Sequence, residues 1–182
     1  MPCRATSLLL LLTLLWGMTD TLAAGLEQRL NIALSLFPRL VAVDQHLPDK
    51  LLAGRARIVL VSEGDRSIAY RLSKKLARKI DSLNGHPLEI RLASPQEVLR
   101  GPPPTAVFLA DSISDGNFYP LADYLSRHQR LLFSAIPGDV ERGAMAGISV
   151  TSRVLPYLNM NALKRAHITL HPRVVALSKR YE

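Results

Sequence analysis

The sequence predicts a single three-layer α/β domain: a mainly parallel, Rossmann-like sheet with an antiparallel hairpin near its C-terminus. Three observations carry that expectation. Short apolar, β-branched runs alternate with stretches of helical period, the pattern of strands buried on both faces and joined by right-handed crossovers. Near the C-terminus two short apolar segments, Ile148 to Val150 and Val154 to Leu158, flank the polar pair Thr151-Ser152, which reads as a hairpin. The chain has 182 residues with 48% hydrophobic composition, enough for one packed domain and not for two.

Residues 1–24 stand apart from that domain. Arg4 supplies a positive start, Ser7 to Trp16 is almost all leucine, and Thr21-Leu22-Ala23-Ala24 offers small residues for cleavage. The apolar run falls short of the roughly 20 residues that a stable membrane span needs. It reads as a secretory signal removed after Ala23 or Ala24, leaving residues 25–182 as the exported domain. Cys3 precedes the apolar run, so it is not a lipoprotein cysteine, and the exported part holds no cysteine at all. Stability must then come from the core, without disulfides.

In the domain, Leu26, Leu30, Leu34 and Phe37 step at helical spacing, and Pro38 is expected to end that helix. Residues 41–47 are expected to be a short extended link. Ala56 to Val61 is the clearest strand and ends at the turn Ser62-Glu63-Gly64-Asp65. Arg66 to Leu83 is expected to be one helix with Ile68, Leu72, Leu76, Ile80 and Leu83 on one side, stopped by Asn84-Gly85. Leu88 to Ala93 alternates as a strand. Ser94-Pro95-Gln96-Glu97 is a helix start, with a capping serine and proline at the first position.

The run Gly101-Pro102-Pro103-Pro104 is a stiff connector into the strand Thr105 to Ala110. A helix from Phe118 to Arg127 and a strand from Leu131 to Ile136 follow. After the hairpin, Asn159 is placed to cap a helix from Met160 to Ala166, and Val174 to Lys179 is expected to form a closing helix.

Chemistry is sparse. There is no glycine-rich phosphate loop, no nucleophile elbow and no Cys-type metal site. His167 and His171 are four apart, but Pro172 argues against a continuous helix there and no acid lies near in sequence. The reading is of a non-enzyme with no catalytic residue, no metal and no cofactor. In parallel sheets ligands sit beyond the carboxyl ends of the strands. Those ends carry Ser62, Glu63, Asp111 and Ser112, a candidate crevice for a small ligand, although turns use the same residue types.

The formal charge of +8 favours an acidic partner. Arg71, Lys74, Lys75, Arg78 and Lys79 concentrate five cations opposite the apolar stripe of their helix, a docking face for an acidic protein or anionic lipid. A solvated face that keeps the protein soluble is the plainer alternative. Nucleic acid is disfavoured, because the signal removes the chain from it and only Tyr70 interleaves the cations for stacking.

The residues with most character lie at the end: Gly143-Ala144-Met145-Ala146-Gly147-Ile148, Arg153, the apolar run to Asn159, Ala162-Leu163 and Lys164-Arg165-Ala166. With the signal, Phe37-Pro38 and the strand Ile58 to Val61, they resemble the YfiR-like periplasmic family, most specifically over the C-terminal third. The resemblance implies a periplasmic α/β regulator without catalysis. Such a protein would bind the periplasmic part of an inner-membrane sensor of the diguanylate cyclase type and repress it, linking envelope state to cyclic di-GMP and biofilm. Arg142, Met145 and Arg153, around the C-terminal motif, join the basic helix as candidate partner-binding residues. Members often carry cysteines, one near the place of Pro104-Thr105 here; residues 25–182 of this chain hold none, which removes redox control through disulfides. Pro156 departs from the usual pattern and suggests an edge strand. The competing reading is a single-domain solute-binding protein for a transporter, using the crevice at the strand ends. Whether the chain forms a homodimer stays open.

Overall fold

The computed structural model describes residues 25–182. The expected signal and its cleavage point lie outside the described residues. The first helix, α1, covers residues 25–42. It runs through Pro38 rather than stopping at Phe37. Leu40 and Val41 extend the buried stripe of Leu30, Ala33, Leu34 and Phe37, so core burial outweighs the amide bond that proline forgoes. The expected extended link is therefore the helix end plus a 3-10 turn at Leu47–Lys50. That turn is held by Asp44, whose carboxylate accepts from the His46 amide at 3.0 Å and from the buried Lys50 ammonium at 2.5 Å.

Strand β1 is Ala56–Val61, and helix α2 is Ser67–Ala77. The helix ends six residues earlier than its apolar spacing suggests. Ser82–Leu83 forms a short strand, β2, antiparallel to β3 at His86–Ala93. Asn84 and Gly85 both have positive φ (48° and 82°), the backbone of a two-residue hairpin turn rather than a helix stop. Leu83 is buried, but from a strand.

Helix α3 is Pro95–Arg100, begun as expected: the Ser94 hydroxyl accepts from the Glu97 amide, and Glu97 accepts from the Ser94 amide. Next come β4 (Ala106–Leu109), α4 (Asp115–Arg127), β5 (Leu131–Ser134) and a one-turn helix α5 (Asp139–Arg142). The hairpin is β6 (Ala146–Val150) and β7 (Val154–Asn159). Asn159 caps α6 (Met160–Arg165), its side-chain oxygen 2.8 Å from the Ala162 amide.

The chain end departs from expectation. Helix α7 is only Pro172–Ala176, and Lys179–Tyr181 forms a strand, β8, parallel to β7. Two or three residues of an exposed amphipathic helix give up less than the free edge of β7 supplies in backbone hydrogen bonds. The hairpin is accordingly not the rim of the sheet. Pro156 is still tolerated at a local edge, because β8 begins to pair only at Tyr157.

All eight strands form one sheet in the order β2-β3-β1-β4-β5-β6-β7-β8. The run β3-β1-β4-β5-β6 is parallel, and the pairs β2/β3 and β6/β7 are antiparallel. This is the expected α/β architecture. Helices α1 and α2 lie side by side on one face; α3, α4 and α6 pack together on the other. Phe37 of α1 meets Phe108 of β4 and Phe133 of β5 with ring centroids 5.3–5.5 Å apart, a mutually packed aromatic centre. At the β5–β6 step, a side chain on Gly147 would drive into the Ser134 carbonyl and the Val140 side chain. Only glycine lets these two strands approach there.

Candidate functional site

Chain order reverses across the sheet between β1 and β4, the place where open parallel sheets bind ligands. The four crevice residues of the sequence stand there, and three are bonded into one network. The Asp111 carboxylate accepts from the Ser62 hydroxyl at 2.6 Å and the Glu63 amide at 3.3 Å, with the Gly64 amide at 3.5 Å. Glu63 reaches across to α4 and accepts from the Ser114 amide (2.5 Å), the Ser114 hydroxyl (2.8 Å) and Asn117 (2.7 Å). The Ser114 amide, then its hydroxyl, hold the Glu63 carboxyl below the usual glutamate range. Ser112 stands exposed beside them. The protein's own carboxylates thus occupy the amides that an anionic ligand would seek.

A second cleft of about 240 Å³ opens at the carboxyl end of β5, between the β5–α5 turn, the hairpin and β8. Arg29 reaches it from α1 and donates to the carbonyls of Ala135 (2.5 Å) and Ile148 (2.6 Å), tying β5 to β6. Tyr157 donates to Glu141 at 2.9 Å, and Lys179 sits over the Tyr157 ring at 4.5 Å. Burial, then the bond to Glu141, push the Tyr157 hydroxyl up to about 12. None of these residues was singled out by sequence. The legible signal was Arg29, a cation set in the apolar stripe of α1 between Leu26 and Leu30. Among the described residues no cluster of His, Cys, Asp and Glu is placed to hold a metal.

The residues around the C-terminal motif are not brought together. Met145 is 1% exposed, in the core. The Arg142 guanidinium lies 3.9 Å from the Phe118 ring centroid, donates to the Ile113 carbonyl at 2.9 Å, and approaches Asp139 and Asp115 at 3.5 Å. It braces α4 against α5. Arg153 alone is exposed, in the turn at the hairpin tip. At that tip stand Val150 and Val154, paired across the strands and both exposed; Leu177 lies just before β8, while Tyr181 pairs with Asn159 at the opposite end of β7. Leu177 is 71% exposed. Exposed apolar side chains beside an incompletely paired edge make this rim the most protein-like docking surface among the described residues.

The five cations of α2 do stand on one surface. They form two rows at helical spacing. Arg71, Lys75 and Lys79 lean on α1, where they meet Glu27 (3.3 Å), Asn31 (2.7 Å) and Ser35 (3.0 Å), each partner 44 positions earlier. Tyr70, Lys74 and Arg78 form the outer row. Lys74 lies 5.3 Å from the Tyr70 ring centroid, and Arg78 makes no ion pair among the described residues.

Comparison with known proteins agrees with this architecture. No curated protein matches the chain. Among solved structures, a conserved domain protein from Vibrio cholerae O1 biovar El Tor aligns at a TM-score of 0.51 and 15% identity, over 75% of this chain and 58% of that one. An ABC domain in complex with L-Trp from Streptococcus pneumoniae aligns at 0.46 and 10% identity, over 78% and 60%. The chain therefore spans less than two thirds of the length of either structure, and the first likeness is one of fold. A family model described as YfiR/HmsC-like (DUF4154) matches residues 46–179, most of the chain. The chain belongs to the YfiR/HmsC-like family, a family of periplasmic, non-catalytic regulators.

Proposed function

We propose that the chain is an exported regulator that binds the periplasmic part of an inner-membrane protein of the diguanylate cyclase type and represses it, linking envelope state to cyclic di-GMP. The observation that carries this reading is the family match over residues 46–179. The docking surface is the rim formed by the hairpin tip and the approach to β8, with Val150, Arg153, Val154 and Leu177. A protein interface needs an apolar centre with a polar rim, and this surface offers both. Free edges at β8 and at residues 154–156 also allow a partner strand to add to the sheet. The solute-receptor reading has less support: the β1/β4 crevice is closed by Asp111, and the Arg29 cleft is below the usual size of ligand pockets, about 300 Å³ and upward.

The test is in-cell crosslinking and affinity capture of the exported protein, with cyclic di-GMP measured alongside. Capture of one inner-membrane protein with a cytoplasmic cyclase domain is expected, as is a rise in cyclic di-GMP when the chain is deleted. The pair Val154→Asp and Leu177→Asp should abolish capture and raise cyclic di-GMP as deletion does, while the protein stays folded. Capture of transporter subunits, or no change in cyclic di-GMP on deletion, would overturn the proposal.

A further inference from the structure

A second surface has a different chemistry and asks for a different occupant. Tyr70, Arg71, Lys74, Lys75, Arg78 and Lys79 enclose a shallow groove of about 550 Å³ on the outer side of α2. We propose that this face binds the anionic phospholipid headgroups of a bilayer surface.

The choice of a bilayer over a second protein rests on what the groove lacks. The centre of a protein interface is apolar and depleted in charge, whereas every lining residue here is a cation except Tyr70. Among the described residues Glu27 is the one carboxylate bonded to the set, so most of these charges are not neutralised in place. Asp65 and Asp81 flank the helix ends and leave the middle of the face uniformly positive. A tyrosine 54% exposed among lysines and arginines is the composition favoured at a membrane–water boundary, where ring and hydroxyl find different surroundings.

Geometry supports the same conclusion. Arg71, Lys75 and Lys79 are steadied by polar groups of α1, which fixes a row of cations along the helix. Lys74 and Arg78 project from the outer row without acidic partners among the described residues. Two parallel rows of charge on one rigid helix present a flat array that suits many phosphates spread over a plane. No described helix is long and apolar enough to cross a membrane, so this contact is one of surface adsorption.

The test uses the protein as exported and processed, sedimented with vesicles of phosphatidylethanolamine, with or without phosphatidylglycerol. Binding is expected only with phosphatidylglycerol and should be released as salt shortens the screening length. Replacing Lys74→Gln and Arg78→Gln together should weaken partition about 30-fold, from the usual contribution of each cation near an anionic surface. The control Lys164→Gln and Arg165→Gln removes the same charge from α6, on the other face of the sheet, and should weaken it less than about 3-fold if location matters. Equal loss in both variants would show a bulk-charge effect and overturn the proposal. So would equal binding to both vesicle types, or no binding to either. Loss of capture of an acidic membrane protein by the α2 variant, without vesicle binding by the wild type, would assign the face to protein instead.

Discussion

The carboxyl ends of the strands and the outer face of α2 are both rich in charge, and they differ in how that charge is used. At the strand ends nearly every polar group has a partner inside the molecule: Asp111 with Ser62 and two amides, Glu63 with Ser114 and Asn117, Asp139 with Ser134, Tyr157 with Glu141. On α2 the cations of the outer row, Lys74 and Arg78, have no side-chain hydrogen bond or ion pair among the described residues. The first arrangement stabilises the fold and leaves little to offer a ligand, even at the topological position where a parallel sheet would bind one. The second adds little to the fold and keeps its charges available. Richness in polar residues therefore does not locate a site; unspent bonding capacity does.

Breaking the strand-end arrangement should have the largest effects. Gly147→Val sets a branched side chain against the Ser134 carbonyl and Val140, where only a shift of β5 or β6 makes room. The expected loss is about 3 kcal/mol or more, read as a fall in urea midpoint or as failure to accumulate soluble protein. Asp111→Ala comes next. It removes the acceptor of the exposed Glu63 and Gly64 amides and the nearer acceptor of the buried Ser62 hydroxyl, leaving that hydroxyl the Asp65 carbonyl at 3.2 Å, for an expected cost of about 1 kcal/mol by thermal or urea unfolding. A near-neutral Asp111→Ala would mean that the network is held from elsewhere, and the contrast with α2 would fail.

A gentler probe uses pH. Glu63 is held below its ordinary range in the folded chain by the Ser114 amide and hydroxyl, so the folded state binds this proton less readily than the unfolded chain. Its stabilisation is then fully present above the unfolded glutamate pKa and is lost as pH falls through the lower folded value. Wild type should exceed Glu63→Gln in melting temperature at neutral pH, and the two should converge in acid. The carboxylate is exposed and partly screened, so the difference should be smaller than that for Asp111. A gap that persists unchanged in acid would show that Glu63 acts through packing and not through its charge.

Much of the fold was legible because burial on both faces leaves a plain record: the runs at Ala56–Val61, Ala106–Leu109 and Leu131–Ser134 are apolar but for Arg57 and Ser134 and form β1, β4 and β5. Local capping was equally readable at Ser94 and Asn159. The misreadings share one physical cause. Leu83 and Lys179 fit helical spacing, yet each joins a strand, Leu83 against His86 just across a tight turn and Lys179 against Tyr157 far earlier in the chain, and backbone pairing outweighs local period. Asn84-Gly85 carried a signal that favoured a hairpin turn over a helix stop. Pro38 was overridden by the buried stripe beyond it. For the candidate sites, clustering on one helix face was readable for α2 because its spacing is local. The rim of Val150, Val154 and Leu177 was not, because only the β7–β8 pairing brings Leu177 beside the hairpin.

The smallest expected effect sits on the other side of the comparison. Lys74→Gln with Arg78→Gln removes two cations from the last turn and cap of α2, where the negative end of the helix dipole favours them by about 0.3–1 kcal/mol each. The same change relieves repulsion between Lys74 and Arg78, four apart, and of Lys74 with Arg71 and Arg78 with Lys75, three apart, by about 0.2–0.5 kcal/mol per pair. The two contributions oppose each other and are of one size, so stability should change by less than about 0.5 kcal/mol in either direction. Unfolding measured at low and high salt checks this, since both contributions are screened and any residual difference should shrink with added salt. A loss as large as that of Asp111→Ala would mean that the outer row is part of the structural frame, and its charges would no longer count as available for a partner.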